Sequence, residues 1–195
     1  MKLGFIINPI AGMGGPVGLK GTDGTEILEK ALKLGAVARS PKKAKAALEK
    51  LIPLKDDLRL ITYPGKMGEK VAIELGFKPV VIGELDERTS GRHTEEAAKA
   101  MLDLGVDLII FAGGDGTARN IYNAVGSKLP VIGIPTGVKI HSGVYASHPR
   151  AAGLIAYKFL TSQDRETMEA EVMDIDEEAF RRGLITAKLY GYVLT

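Results

Sequence analysis

Leu108-Ile109-Ile110-Phe111-Ala112-Gly113-Gly114-Asp115-Gly116-Thr117 decides the fold of this chain. Five consecutive apolar residues with no polar alternation read as a strand buried on both faces, the pattern of a parallel sheet covered by helices. The strand stops on two glycines. A helical pattern, Thr117–Val125, starts at once and stops at Gly126.

The same grammar repeats outward from this stretch. Leu3–Ile7, Leu58–Thr62, Val80–Ile82 and Val131–Ile134 are short apolar runs of strand type. Between them, Thr25–Leu34, Lys42–Leu51, Gly68–Leu75, Thr94–Leu104 and Arg150–Leu160 carry helical spacing. Pro41 and Pro149 suit helix starts. Thr94 reads as an N-cap, with Glu95 and Glu96 in the first turn. Strands alternating with helices predict a doubly wound, mostly parallel α/β sheet. The end of the chain differs. Glu169–Asp174 and Leu184–Leu194 read as strands around a helical turn at Asp176–Arg182, and the sequence stops inside an apolar pattern. The expected division is an α/β domain over 1–165 and, over 166–195, the start of a β-rich domain cut short. Its last strand is expected to pair within its own chain or against a second copy, which would make a homo-oligomer.

Bulk properties narrow the partners. The 195 residues carry 26 basic and 24 acidic side chains, a formal charge of +2, and 45% are hydrophobic. So small a surplus gives no case for nucleic acid or an anionic membrane as partner. The chain has no cysteine, which removes disulfides, thiolate metal sites and cysteine nucleophiles. With Pro9 ending the first apolar run, nothing resembles a signal peptide, and no run is long enough to span a bilayer; cytoplasm is the expected location. One Gln (Gln163) and three Asn (Asn8, Asn120, Asn123) are few thermolabile residues, which points to a thermophilic source or to drift in a short chain.

Ligands of open α/β sheets bind beyond the carboxyl ends of the strands. Three loops there carry candidate chemistry. At Gly113, Gly114 and Gly116 the backbone can take positive φ and be approached by a phosphate, and the helix start offers free N–H groups and a positive dipole end. Thr117 follows, and Arg119 and Asn120 in the first turn could donate to phosphate oxygens. Asp115 would repel such a ligand, so its role is either to hold Mg²⁺ on the phosphates or to accept a proton from an attacking hydroxyl. The same residues also make an Asp-Gly turn with a Thr cap, which needs no ligand. After the first strand comes Asn8-Pro9-Ile10-Ala11-Gly12-Met13-Gly14-Gly15, running on to Lys20-Gly21-Thr22-Asp23-Gly24. It lacks the Gly-Lys-Ser/Thr of a P-loop and the third glycine of a dinucleotide fingerprint. After the last strand of the sheet comes Pro135-Thr136-Gly137-Val138-Lys139-Ile140-His141-Ser142, where Lys139, His141 and Ser142 are polar in a small, apolar loop. No second histidine lies near enough to His141 for a zinc site, and His93 and His148 read as loop residues.

These blocks, with Glu171-Val172-Met173-Asp174-Ile175-Asp176-Glu177, resemble the ATP-NAD kinases, and among them the ATP-NAD kinase/AcoX branch. Diacylglycerol-type lipid kinases and phosphofructokinases carry similar Gly-Gly-Asp-Gly motifs. The resemblance covers essentially the whole chain. It implies an N-terminal α/β domain, a β-rich C-terminal domain and a nucleotide site in the cleft between them. It implies phosphoryl transfer from ATP or polyphosphate, with a divalent metal such as Mg²⁺, to a hydroxyl of NAD, Asp115 lying near that hydroxyl or the donor phosphates. The expected phosphate-binding set is Asn8, Gly12, Gly14, Gly15, Gly113, Gly114, Gly116, Thr117, Arg119, Asn120, Thr136, Gly137, Lys139 and His141. A lipid kinase and a non-catalytic nucleotide-binding or regulatory protein of the AcoX type are the alternatives. Against the lipid kinase, no segment has an apolar face opposed to a basic one.

Overall fold

A computed structural model describes residues 1–14, 17, 25–86, 89–137, 140–175 and 187–195. Five strands form one parallel sheet: β1 (Lys2–Ile7), β2 (Arg59–Thr62), β3 (Val80–Val81), β4 (Leu108–Gly113) and β5 (Val131–Pro135). Their order is β3-β2-β1-β4-β5. The helices are α1 (Thr25–Lys33), α2 (Ser40–Leu48), α3 (Glu69–Glu74), α4 (Gly91–Asp103), α5 (Asp115–Val125) and α6 (Pro149–Thr161). A 3₁₀ turn over Glu49–Leu54 extends α2 and contains Pro53.

Each strand divides its side chains between two cores. Leu3, Phe5 and Ile7 of β1, Leu108 and Ile110 of β4, and Ile132 and Ile134 of β5 pack with α2, α3 and α6. Ile6, Ile109, Phe111 and Val131 point the other way, against α4 and α5. Period two thus explains why the strands are apolar throughout. The helices come very close to one another and to the sheet. A Cβ on Gly4 would lie 2.7 Å from Sδ of Met101 in α4, and one on Gly153 in α6 would lie 2.1 Å from the Ala47 carbonyl oxygen in α2.

β6 (Glu169–Ile175) and β7 (Ala187–Leu194) form an antiparallel pair, with an irregularity between Val172 and Met173. Of the two outcomes expected for the last strand, pairing within the chain is the one seen. The pair lies on α5: Ala170, Val172 and Val193 are buried beside Ile121 and Val125. The Tyr190 ring meets that of Tyr122 edge-on at 5.6 Å, and its hydroxyl donates to Asn123 Oδ1 at 3.1 Å. The helical turn expected at 176–182 and the strand start expected at 184–186 lie outside the described residues.

Two expectations at helix starts are corrected. α4 begins at Gly91, not Thr94, and its N-cap is Ser90. His93, expected in a loop, is in the first turn, where its Nδ1 accepts the Ser90 N–H at 3.0 Å. Thr94 is buried instead, 1% exposed. The Asp/Glu pattern after Thr94 hid a cap four residues upstream, because histidine does the work usually done by Glu or Gln at the third helical position.

Gly153→Ala separates packing from propensity. Alanine is the better helix former by about 1 kcal/mol, so propensity alone forecasts stabilisation. The 2.1 Å approach to Ala47 forecasts overpacking, which costs about 1–3 kcal/mol. The expected outcome is a lower urea midpoint at unchanged m-value; a raised midpoint would show that the α2–α6 contact yields.

Candidate phosphate-binding site

The chain leaves β1 toward β2 on one side and later returns to β4 on the other, so the switch point of the sheet lies between β1 and β4. Their register pairs Ile7 with Ala112, and Gly113 pairs with Pro135 of β5. The three loops singled out in the sequence therefore leave the sheet side by side. Asn8 ties the first two: its N–H donates to the Ala112 carbonyl at 2.9 Å, and its Nδ2 donates to Thr117 Oγ1 at 3.0 Å. Gly12 ties the first to the third. Its φ is +75°, and a Cβ there would stand 2.3 Å from the Thr136 carbonyl oxygen.

The glycines of the central loop serve a purpose different from the expected one. None of Gly113, Gly114 and Gly116 has positive φ. Gly113 is required by space, since a Cβ would lie 2.3 Å from Thr117 Cβ. Gly114, at φ −125°, is the N-cap of α5, makes no side-chain cap, and has nothing within 4 Å of its Cβ position. The start of α5 is thus open for an outside acceptor to approach its first N–H groups.

Asp115, the first residue of α5, is held by the β5 loop. Its Oδ2 accepts the His141 N–H at 2.9 Å; its Oδ1 accepts the Ser142 N–H at 3.0 Å and the Ser142 hydroxyl at 2.6 Å. The Ser142 Oγ in turn accepts the Met173 N–H of β6 at 2.9 Å. Arg119, expected on phosphate, makes an ion pair with Asp174 of β6, both groups partly exposed. Asn120 stands against the start of α4, where a Cβ on Gly91 would be 2.6 Å from its Nδ2. His141 is exposed and approaches Asp115 through its backbone. Thr136 is 2% exposed, and its carbonyl accepts from Lys43 Nζ at 3.1 Å. Gly15 and Lys139 lie outside the described residues.

Sequence reasoning missed Tyr145 and Lys43. The Tyr145 hydroxyl donates to the Gly114 carbonyl at 2.6 Å, and its ring meets Phe111 edge-on at 5.5 Å. Burial, with the Asp115 charge second, pushes its pKa well above the ordinary tyrosine range. Its signal in the sequence was Gly133, a glycine inside a β-branched strand; a Cβ there would lie 2.3 Å from the Tyr145 ring. Lys43 gave no signal, being one lysine in a lysine-rich helix. Beside these groups a cleft of about 360 Å³ opens between Pro135, Gly137, Ile140, Ser142, Tyr145 and Ser147. Among the described residues no group of three or more His, Asp or Glu could hold a metal, and no helix is long and apolar enough to cross a membrane.

A parallel sheet with a glycine-rich helix start at its switch point defines a doubly wound α/β domain with a candidate site at that point. Residues 3–164 match the ATP-NAD kinase N-terminal domain, and the chain belongs to that family. Among solved structures it is similar to a diacylglycerol kinase from Bacillus anthracis str. Sterne, at 16% identity and TM-score 0.38, over 99% of this chain and 61% of that one. A putative diacylglycerol kinase from the same organism is similar at 16% identity and TM-score 0.37, over 99% of this chain and 64% of that one. The chain thus spans under two thirds of the length of either. No curated protein matches it.

Ser142→Ala leaves the Met173 N–H without its acceptor and Asp115 with one donor fewer. It is expected to cost about 1–3 kcal/mol in denaturant unfolding; a loss within error would show that β6 is held independently of this serine. Tyr145 supplies a test in pH. Its folded pKa is raised, so its stabilising contribution is complete below the unfolded value of about 10 and is lost as pH rises toward the folded value. The stability difference between the wild type and Tyr145→Phe should be flat to about pH 9 and shrink above about pH 10. A difference constant through that window would remove the buried, neutral hydroxyl.

Proposed function

We propose that this chain forms the donor-phosphate side of a kinase that transfers a phosphoryl group from ATP or polyphosphate to a hydroxyl of NAD. The observation that carries the reading is Asp115: it stands at the start of α5, next to the open Gly114, where the loops after β1, β4 and β5 converge. A carboxylate offers about four acceptor positions, and three are filled. The remaining one is free to take the proton of an attacking hydroxyl. In phosphoryl transfer the protein mostly positions groups and neutralises charge. The N–H groups at Gly114–Gly116 and those of Gly12–Gly14 would bind donor oxygens, with Thr117 and Thr136 behind them. Arg119 would add charge by exchanging Asp174 for phosphate.

Mg²⁺ would arrive with the donor. It typically keeps several waters and takes one or two carboxylates besides substrate phosphates, and among the described residues Asp115 would hold it in the alternative in which that carboxylate is not the base. The chemistry the ion would supply is neutralisation of charge on the phosphate oxygens.

A second reading follows from the same bonds. An aspartate fastened by three donors also suits a nucleotide-binding protein without turnover. A turnover assay with ATP or polyphosphate, Mg²⁺ and a panel of NAD, lipid and sugar acceptors decides between them, and phosphorylation of a lipid or sugar but not NAD would replace the acceptor. Asp115→Asn keeps one oxygen for the Ser142 donors and loses the acceptor of the His141 N–H, so it is expected to fold with reduced stability and, among folded molecules, to lower turnover by about two orders of magnitude or more, the range for loss of a general base. Wild-type turnover in that variant would leave Asp115 as a turn-and-cap residue.

A further inference from the structure

Two buried hydroxyls near the site have no hydrogen-bond partner: Ser40 Oγ and Thr136 Oγ1, on residues 0% and 2% exposed. Leaving a buried polar group unsatisfied costs about 1–3 kcal/mol. Lys43 links the two elements that carry them. Ser40 opens α2 on its buried face, Lys43 follows one turn later, and the Lys43 ammonium donates to the carbonyl of Thr136 itself. Gly12 packs against the same carbonyl.

The start of α2 is otherwise built for negative charge. Its N-cap is Arg39, no side chain caps it, and its first turn holds no acidic residue. Lys42 and Lys43 follow directly. Lys43 is half-buried, and burial, then the nearby Arg39 charge, lower its pKa. Arg39 is near enough to lower the Lys43 pKa, and no acidic residue in the first turn offsets the two charges. In a doubly wound fold the helices run back from the carboxyl edge of the sheet, so this helix start lies on the same edge as Gly114. The Lys43–Thr136 bond places it there directly.

We infer that the start of α2, with Arg39, Ser40, Lys43 and Thr136, is an anion subsite that takes the end of the donor's phosphate chain remote from the start of α5. Ser40 and Thr136 would donate their hydroxyls, Lys43 and Arg39 their charge, and the helix end its free N–H groups. The ligand is an inorganic or nucleotide-borne oligophosphate. That assignment rests on the phosphoryl-transfer reading; the anion site itself does not.

The test uses sodium tripolyphosphate as probe, titrated calorimetrically into the wild type, Ser40→Ala and Lys43→Met, with urea unfolding of each free protein. Wild type should bind. Lys43→Met should weaken binding about tenfold or more, as loss of a charge-assisted bond does. Ser40→Ala should weaken binding severalfold while the free protein's unfolding midpoint holds or rises, because an unsatisfied buried hydroxyl has gone. A merely structural serine would not produce that opposition. No binding by the wild type, or equal affinity in both variants, would overturn the inference. Turnover separates the two readings. If phosphoryl transfer fails but the subsite stands, the variants still lose tripolyphosphate affinity without any activity to lose. If the subsite fails but the kinase stands, Lys43→Met turns over with an unchanged KM for the donor.

Discussion

The Asp115 carboxylate accepts three hydrogen bonds from two residues of the β5 loop, and through them the site acquires its shape. Bonds to a charged acceptor contribute about 1.5–3 kcal/mol each, against about 1 for neutral pairs. They hold residues 141–142 over the start of α5. The same loop then returns beside β5, where Gly133 donates to Val144 and accepts from Ala146, so that Tyr145 falls onto Gly133 and reaches the Gly114 carbonyl. Remove the carboxylate and three elements lose a common anchor: the β5 loop, the Tyr145 strap and, through Ser142, strand β6.

Glycine makes the anchor possible, by absence of bulk more than by freedom of φ. Gly113 admits Thr117, Gly133 admits Tyr145, and Gly191 of β7 admits the ring of Tyr122, each where a Cβ would come within 2.4 Å. These approaches draw α5 against β4 and seat the β6–β7 pair on α5. Among the described residues of the site, only Gly12 takes a left-handed backbone, at φ +75°. The site is thus close-packed behind its face, with Gly114 left open.

The sheet was legible in the sequence because a doubly covered parallel strand is apolar at every position, and β1, β4 and β5 have that pattern. The order β3-β2-β1-β4-β5 was not, since pairing partners leave no local trace. In the site, the three loops were legible because each follows directly on such a strand. What escaped were contacts between distant residues, such as Tyr145 on Gly114 and Lys43 on Thr136, 31 and 93 positions apart. The placing of Arg119 against Asp174 escaped for the same reason. An arginine in the first turn of a helix behind a glycine loop reads as a phosphate ligand, and nothing local reveals a carboxylate 55 residues later.

That ion pair has a consequence for binding. Two unit charges at 4 Å interact by about 4 kcal/mol at the effective dielectric of a protein surface. A phosphate at the start of α5 would be repelled by Asp115 on this scale and attracted by Arg119 on the same scale, if Arg119 were released. While Arg119 is paired with Asp174, its charge is largely spent within the chain. Because the Arg119–Asp174 pair is partly exposed, exchanging one anion for another forfeits little, since exposed ion pairs contribute about 0–1 kcal/mol. The Asp115 bonds cannot be exchanged so cheaply, as Ser142 is buried. These two polar ties between α5 and β6 among the described residues therefore differ in kind: the Ser142 bridge fixes the strand in place, and on the phosphoryl-transfer reading the arginine pair is the part a ligand would displace.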